Sequence, residues 1–361
     1  MIANTTLLLP RALDSAPTFA DRSIGEPTQA RGRRGASSGA ASVAGAHDAG
    51  DAQVVESGVA TRLLVPIDES VCSKSAVKFI ASRAALLKQP THVALVNVQY
   101  PVPVRVAQTL GKEICRDHYQ READKILTPA RTKLERAGAK VSTRFVIGTP
   151  AQHLPDIATQ DPADLIVMAT HGNTGIAHLL FGSVAQAVAN STTKPMLVLK
   201  QEVLSQRENL RVGIALDGSK YGLATALFVA RHLSLFGPNP LVTLIHVAPE
   251  LEEITVPGWI ERRVQTGIKA GQAAAMYAAA YESVFAPVHA VLRAAGIEAQ
   301  EARLVGENAS EQIAKQASIQ KLDVLAMGSL GYGASRFSTL GSVAARVASK
   351  IDTHLLLVRE A

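Results

Sequence analysis

The sequence predicts two tandem α/β domains, each a doubly wound open parallel sheet, behind a low-complexity N-terminal tail. Three observations predict this. The chain repeats itself at long range, its strand-like segments are unbroken apolar runs, and each copy places a glycine-rich segment between a strand pattern and a helix pattern. Unbroken apolar runs suit strands covered on both faces, as in parallel sheets. Their alternation with helical segments gives right-handed βαβ units.

The repeat is seen most clearly at the glycines. Met168-Ala-Thr-His-Gly172 is followed by nine residues and Gly182-Ser183, and Met327-Gly-Ser-Leu-Gly331 by nine residues and Gly341-Ser342. Leu64-Val-Pro-Ile-Asp68 matches Gly213-Ile-Ala-Leu-Asp217. Val93-Ala-Leu-Val-Asn97-Val98 matches Val242-Thr-Leu-Ile-His246-Val247. Lys194-Pro-Met-Leu-Val-Leu-Lys200 matches Thr353-His-Leu-Leu-Leu-Val-Arg359. The offset is 149 residues at the aspartates and 159 at the glycines, which places ten extra residues between Val247 and Gly306. Such self-similarity marks a duplicated unit. The expected boundaries are 1–60 for the tail, 61–201 for the first domain and 210–361 for the second.

Each element follows from its local pattern. Residues 62–67 form a first strand rich in β-branched and aliphatic residues. Ser73 to Leu87 has helical spacing through Ala76, Val77, Ile80 and Ala84. Residues 92–98 form the second strand, and His118 to Ala137 an amphipathic helix stopped at Gly138. Residues 140–147 are the third strand, Gln152 to Thr159 a short helix, 164–170 the fourth strand, 183–190 a helix and 195–199 the last strand. In the second copy Lys269 to Ala295 is an Ala-rich helix expected to break at Pro287. Leu251 to Trp259 is a loop able to lean over the site. The apolar last strands, 195–199 and 354–358, read as edges that would aggregate if bare, so the two halves are expected to pair internally as a pseudo-dimer.

The chain has 361 residues, 47% hydrophobic but only 4% aromatic, so its cores must be built from aliphatic side chains. Net charge is +6, yet neither repeat contains a Lys/Arg block or the aromatic interleaving of single-strand binders. The charge therefore reads as solvated surface rather than a nucleic-acid footprint. No apolar run approaches the roughly 18 residues that a membrane span needs. Cys72 and Cys115 lack CxxC spacing and have no counterparts in the second copy. They suggest a reducing, cytoplasmic setting. Residues 1–60 hold five Arg and no Lys among Ala, Gly, Ser and Thr, which predicts disorder. Asp14, Asp21, Glu26, Asp48, Asp51 and Glu56 argue against an organellar transit peptide.

In an open α/β sheet, ligands sit outside the carboxyl ends of the strands. Asp68 and Asp217 end first strands, and Gly172 and Gly331 follow fourth strands, so they gather at that edge of their sheets. Glycine permits close backbone approach. Gly182-Ser183 and Gly341-Ser342 open helices whose free N–H groups and dipole favour anions such as phosphate. Ordinary loop chemistry explains one such segment; two copies at one spacing point further, to shared ancestry and phosphate binding.

With these residues the chain resembles the universal stress proteins, in a tandem UspA-like form covering about 62–200 and 211–359. The family's nucleotide-binding members carry Gly-x2-Gly-x9-Gly-Ser/Thr. Gly328, Gly331, Gly341 and Ser342 match it fully. The first copy has Ala169 where a glycine is expected, then Gly172, Gly182 and Ser183. The resemblance implies a Rossmann-like fold akin to the adenine-nucleotide α-hydrolases. It implies ATP, with or without Mg²⁺, as the cofactor. Asp68, Asp217, Val98 and Val247 would face adenine or ribose, and the Gly-Ser pairs the phosphates. An alanine at position 169 would crowd the backbone or disfavour a positive φ, which makes the second copy the expected better site.

Other candidates are weaker. His171 has Leu330 as its counterpart, so it is no shared base. Arg336 could reach phosphate but reads more simply as a solvated loop residue. Walker A and G-x-G-x-x-G motifs are absent, and no general base, nucleophile or carboxylate cluster is duplicated beyond the single aspartate. The residues therefore suggest a nucleotide-binding regulatory protein without catalytic residues. An ATP-independent interaction module and a weak ATP hydrolase are the alternatives. Protein partners and a further homodimer are compatible with the sequence.

Overall fold

A computed structural model of the chain describes residues 61–86, 91–170, 182–200, 207–250, 270–330 and 340–359. The tail, the loop 251–259, Gly172, Gly331, His171 and Arg336 lie outside the described residues.

The first half runs β1 (Arg62–Pro66), α1 (Val71–Ala84), β2 (His92–Gln99), α2 (Val104–Leu110), α3 (Lys112–Arg136), β3 (Lys140–Ile147), α4 (Pro150–Gln160), β4 (Leu165–Thr170), α5 (Ser183–Ser191) and β5 (Met196–Lys200). The second runs β6 (Arg211–Ala215), α6 (Lys220–Arg231), a 3₁₀ turn (Leu233–Phe236), β7 (Leu241–Ala248) and α7 (Ala270–Ala294). It continues with β8 (Ala299–Val305), α8 (Ala309–Ile319), β9 (Val324–Gly328), α9 (Ser342–Lys350) and β10 (His354–Val358).

The two doubly wound sheets are one. Its ten strands lie in the order β3-β2-β1-β4-β5-β10-β9-β6-β7-β8. Pairing is parallel within each half, and the halves join where β5 meets β10 antiparallel, Leu355 opposite Val198 and Leu357 opposite Met196. Every residue of both joining strands is buried. Alternate side chains go to opposite faces. Leu197, Leu199, Leu356 and Val358 enter one core with α1, α3, α6 and α7. Met196, Val198, Leu355 and Leu357 enter the other with α4, α5, α8 and α9. Each face therefore has one core, shared by both halves.

Polar groups stitch the junction in symmetric pairs. Lys200 ends β5 and donates from Nζ to the carbonyls of Ala348 and, at 2.9 Å, of Ile351, the C-cap of α9. Arg359 follows β10 and donates at 3.2 Å to the carbonyl of Thr192, the C-cap of α5. Each half thus places a cation on orphan carbonyls at the other's helix end, where the dipole favours it. Arg83 at the end of α1 donates to the carbonyls of Arg207 and Glu208, both at 2.9 Å. Its counterpart His232 at the end of α6 meets the Thr61 hydroxyl at 3.3 Å. His354 packs edge-on against Phe79, and its Nδ1 accepts from the Lys200 N–H at 3.2 Å.

Three expectations are corrected. Helix α7 does not break at Pro287. Pro287 faces solvent, so water can satisfy the Ser283 carbonyl it leaves, while Tyr281, Phe285, Val288 and Leu292 bury into the sheet. Helix α3 likewise runs through Pro129. Helix α2, which no periodicity marked, has no buried residue and so no apolar face to read. The ten extra residues are split. Val98 pairs with Val146 and Val247 with Leu304, an offset of 158 at those strands. The last extra residue therefore falls in 306–308, where Gly306-Glu307-Asn308 precedes α8.

Replacing Lys200 by Met strips the donor from two buried carbonyls and is expected to cost about 2–3 kcal/mol, measured by urea unfolding. Burial lowers the pKa of His354 to about 4, against the attraction of Asp323. Between that value and the unfolded one of about 6.5, the unfolded chain takes up a proton that the native chain refuses. Stability is therefore expected to fall as pH drops through this window. His354→Asn keeps an acceptor near Nδ1 and removes the titration. Its stability should fall less between pH 7 and pH 4, by about 3 kcal/mol.

Candidate functional site

Both Asp68 and Asp217 sit where the first strand of each half gives way to a helix, and each begins a tight polar turn. Asp68 Oδ1 accepts from the Ser70 N–H at 3.0 Å and the Ser73 hydroxyl at 2.6 Å. Asp217 Oδ1 accepts from the Ser219 N–H at 3.0 Å and its hydroxyl at 2.6 Å. The Ser70 hydroxyl also caps α1 by accepting from the Ser73 N–H at 3.1 Å. Burial alone would raise the Asp68 pKa. The donors of Ser70 and Ser73 and nearby backbone N–H groups outweigh it and hold the carboxyl below its usual value. At neutral pH Asp68 is a fixed carboxylate with one oxygen already engaged.

The carbonyl preceding each aspartate is anchored by the second strand. Asn97 Nδ2 donates to the Ile67 carbonyl at 2.9 Å. His246, its counterpart, meets the Leu216 carbonyl through Nδ1 at 2.7 Å. A carbonyl only accepts, so Nδ1 carries the ring proton. Asn97 Oδ1 is buried and has no hydrogen-bond partner among the described residues. The sequence contained the signal for this pair: a polar residue at one repeat position inside an apolar strand.

In the first half these elements wall a cavity of ≈ 710 Å³ at the carboxyl edge of β1, β2 and β4. Asp68, Val98, Gly182 and Ser183 all line it, together with Ala169 and Cys72. Helix α5 enters this cavity by its N-terminus, capped by no side chain. A Cβ built on Gly182 meets nothing within 4 Å among the described residues. The pocket is thus lined by a carboxylate and by a helix N-terminus without a side-chain cap among the described residues. The carboxylate accepts from hydroxyl or amino groups, and the helix start attracts anions.

In the second half Asp217, Val247, Gly328, Gly341 and Ser342 come to the corresponding edge. Helix α9 also lacks a side-chain cap, and the Gly341 N–H donates to the Ser329 carbonyl at 2.7 Å. A Cβ on Gly328 would lie 2.8 Å from Tyr221 Cβ and 2.9 Å from the Leu330 carbonyl oxygen. Neither Gly328 nor Ala169 has a positive φ. The conformational objection to Ala169 is thereby removed. Glycine is needed at 328 because the start of α6 stands close to the strand, and the first half, with Cys72 in place of Tyr221, has room for the methyl. Among the described residues no group of three His, Cys, Asp or Glu could hold a metal ion. None of the described helices is long and apolar enough to cross a membrane.

Comparison with known proteins agrees with this architecture. Residues 60–200 and 208–359 each match the Universal stress protein family. The chain belongs to that family. Universal stress protein MJ0531 of Methanocaldococcus jannaschii is 30% identical over 143 residues, covering 39% of this chain and 82% of its own length. Universal stress protein YxiE of Bacillus subtilis is 25% identical over 147 residues, covering 38% of this chain and 98% of its own. Among solved structures, a universal stress protein from Archaeoglobus fulgidus superposes with a TM-score of 0.60 at 18% identity, covering 86% of this chain and all of its own. As a tandem universal stress protein, the chain has the family's α/β fold twice over.

Gly328→Ala is expected to destabilise the protein by about 1–3 kcal/mol, because the new methyl meets backbone and a helix Cβ. Ala169→Gly should change stability by about 1 kcal/mol or less. Thermal unfolding of the two variants checks the contrast.

Proposed function

We propose that this universal stress protein binds ATP at the carboxyl edge of each half and works as a nucleotide-dependent regulator without turning ATP over. The observation that carries the reading is the first-half cavity, lined by both the Asp68 carboxylate and the N-terminus of α5. Asp68 suits a ribose hydroxyl or an adenine amino group, since an ionised carboxylate only accepts. Gly182, Ser183 and the first N–H groups of α5 suit the phosphates, with Gly172 in the same motif. Val98 offers an apolar wall to adenine. In the second half Asp217, Val247, Gly328, Gly331, Gly341 and Ser342 take the same roles.

Asp68 is poorly suited to act as a general base for turnover. A general base works best with a pKa near the working pH, and hydrogen bonds hold Asp68 in the opposite direction. Mg²⁺ would come with the phosphates rather than from a protein cage, as it often does. Occupancy then selects among conformations or protein partners in a stress response. The cytoplasm, where ATP and reduced thiols coexist, is the proposed setting.

The test uses a charge at each helix start. Ser183→Asp and Ser342→Asp each place a carboxylate at a helix N-terminus, which favours the helix by about 0.3–1 kcal/mol but repels phosphate. Isothermal titration of the full chain is expected to give two ATP per molecule, and one with either variant, at unchanged or higher thermal stability. A wild-type chain that takes up no ATP overturns the proposal. Loss of binding from one variant alone would confine the function to that half.

A further inference from the structure

A second cavity lies behind Asp68, in the groove between α1 and α3, with a volume of ≈ 580 Å³. Small-ligand sites typically span about 300–1,000 Å³. Val77, Ile126 and Ala130 give it an apolar floor. Its rim carries Lys74 and Lys78, one turn apart on α1, and Lys125 and Lys133, two turns apart on α3. Asp68 and Glu69 are the acids in its wall and Glu122 stands against Lys125, so four lysines face three carboxylates and the groove stays net positive. Asp68 is already bonded to Ser70 and Ser73. Lys125 pairs with Glu122 at 2.6 Å. The ammonium groups of Lys74, Lys78 and Lys133 have no ion-pair or hydrogen-bond partner among the described residues.

The duplicate half shows that the fold does not require these lysines. At the repeat offsets of 149 and 158, Lys74, Lys78, Lys125 and Lys133 correspond to Leu223, Leu227, Ser283 and Val291. Leu223, Val284 and Val291 pack onto the core there, and Val284 comes within 3.3 Å of a Cβ built on Gly218. In the second half apolar side chains from both helices pack at this place, whereas in the first half lysines border a cavity.

The geometry points to a ligand site in this groove for a small organic dianion with an apolar body, carrying either a phosphomonoester or two carboxylates. The body lies on Val77, Ile126 and Ala130. The charges lie between the lysines of α1 and those of α3. Low net positive charge on an apolar floor selects against both neutral apolar compounds and fully hydrated inorganic anions. The site adjoins the proposed ATP cavity and shares Ile67, Asp68, Glu69, Ser73 and Ile126 with it.

Calorimetric titration of the full chain with 1-naphthyl phosphate, and separately with naphthalene-2,6-dicarboxylate, tests this. One equivalent of at least one probe is expected to bind, with or without saturating ATP, and whichever binds tighter identifies the anionic group. Lys74→Leu/Lys78→Leu, which installs the residues of the second half, should weaken it by about tenfold, as should Lys125→Ser/Lys133→Val. Circular dichroism melts confirm that both variants fold. No binding of either probe, wild-type affinity retained in both variants, or complete displacement by ATP would overturn the assignment. Because the probes are read with and without ATP, failure of the nucleotide proposal leaves this result distinct.

Discussion

The antiparallel contact between β5 and β10 is the constraint on which the rest of this molecule depends. Both strands are buried along their whole length, and each would be a sticky edge if its half stood alone. Joining them makes one sheet with a core on each face, and neither core belongs to one half. Lys200 and Arg359 then tie each half's last strand to the other's helix end. The contact also fixes where ligands can reach. Strands are parallel within a half and antiparallel across the junction, so the two carboxyl edges face opposite directions. The two candidate sites lie on opposite rims of the sheet.

Much of this was legible in the sequence. Aliphatic runs gave the strands because a strand covered on both faces has no polar side to interrupt it. The last strands betrayed their pairing by being too apolar to remain edges. Pro287 misled because a proline's cost depends on which way it faces, and on the solvent side water repairs the missing bond. Helix α2 was invisible because nothing in it is buried. Gly328 was recognisable as a motif glycine but not for its reason. Its need is space against Tyr221, and only packed coordinates show that a neighbouring helix stands so near.

The chemistry of the site was legible in outline. An aspartate at a strand end and a glycine-serine pair at a helix start are local features, and the fold brings Asp68, Gly182 and Ser183 to one cavity. Asn97 and His246 escaped notice because their work is to hold a carbonyl, and no motif names that task. Their equivalence is instructive. Amide and imidazole differ in shape and titration, yet either presents one N–H to the carbonyl before the aspartate. The position tolerates any donor of the right reach.

Covalent fusion of the two copies has a consequence for how such a protein can change. When two identical chains associate, each substitution appears on both sides of the twofold axis, so neither face can specialise. Here Ala169 and Gly328, Cys72 and Tyr221, and Lys74 and Leu223 occupy symmetry-related places and have drifted apart. The shared sheet keeps the pairing geometry while the linker abolishes the identity of the partners. Duplication has turned a symmetric assembly into an asymmetric molecule, free to divide labour between its halves.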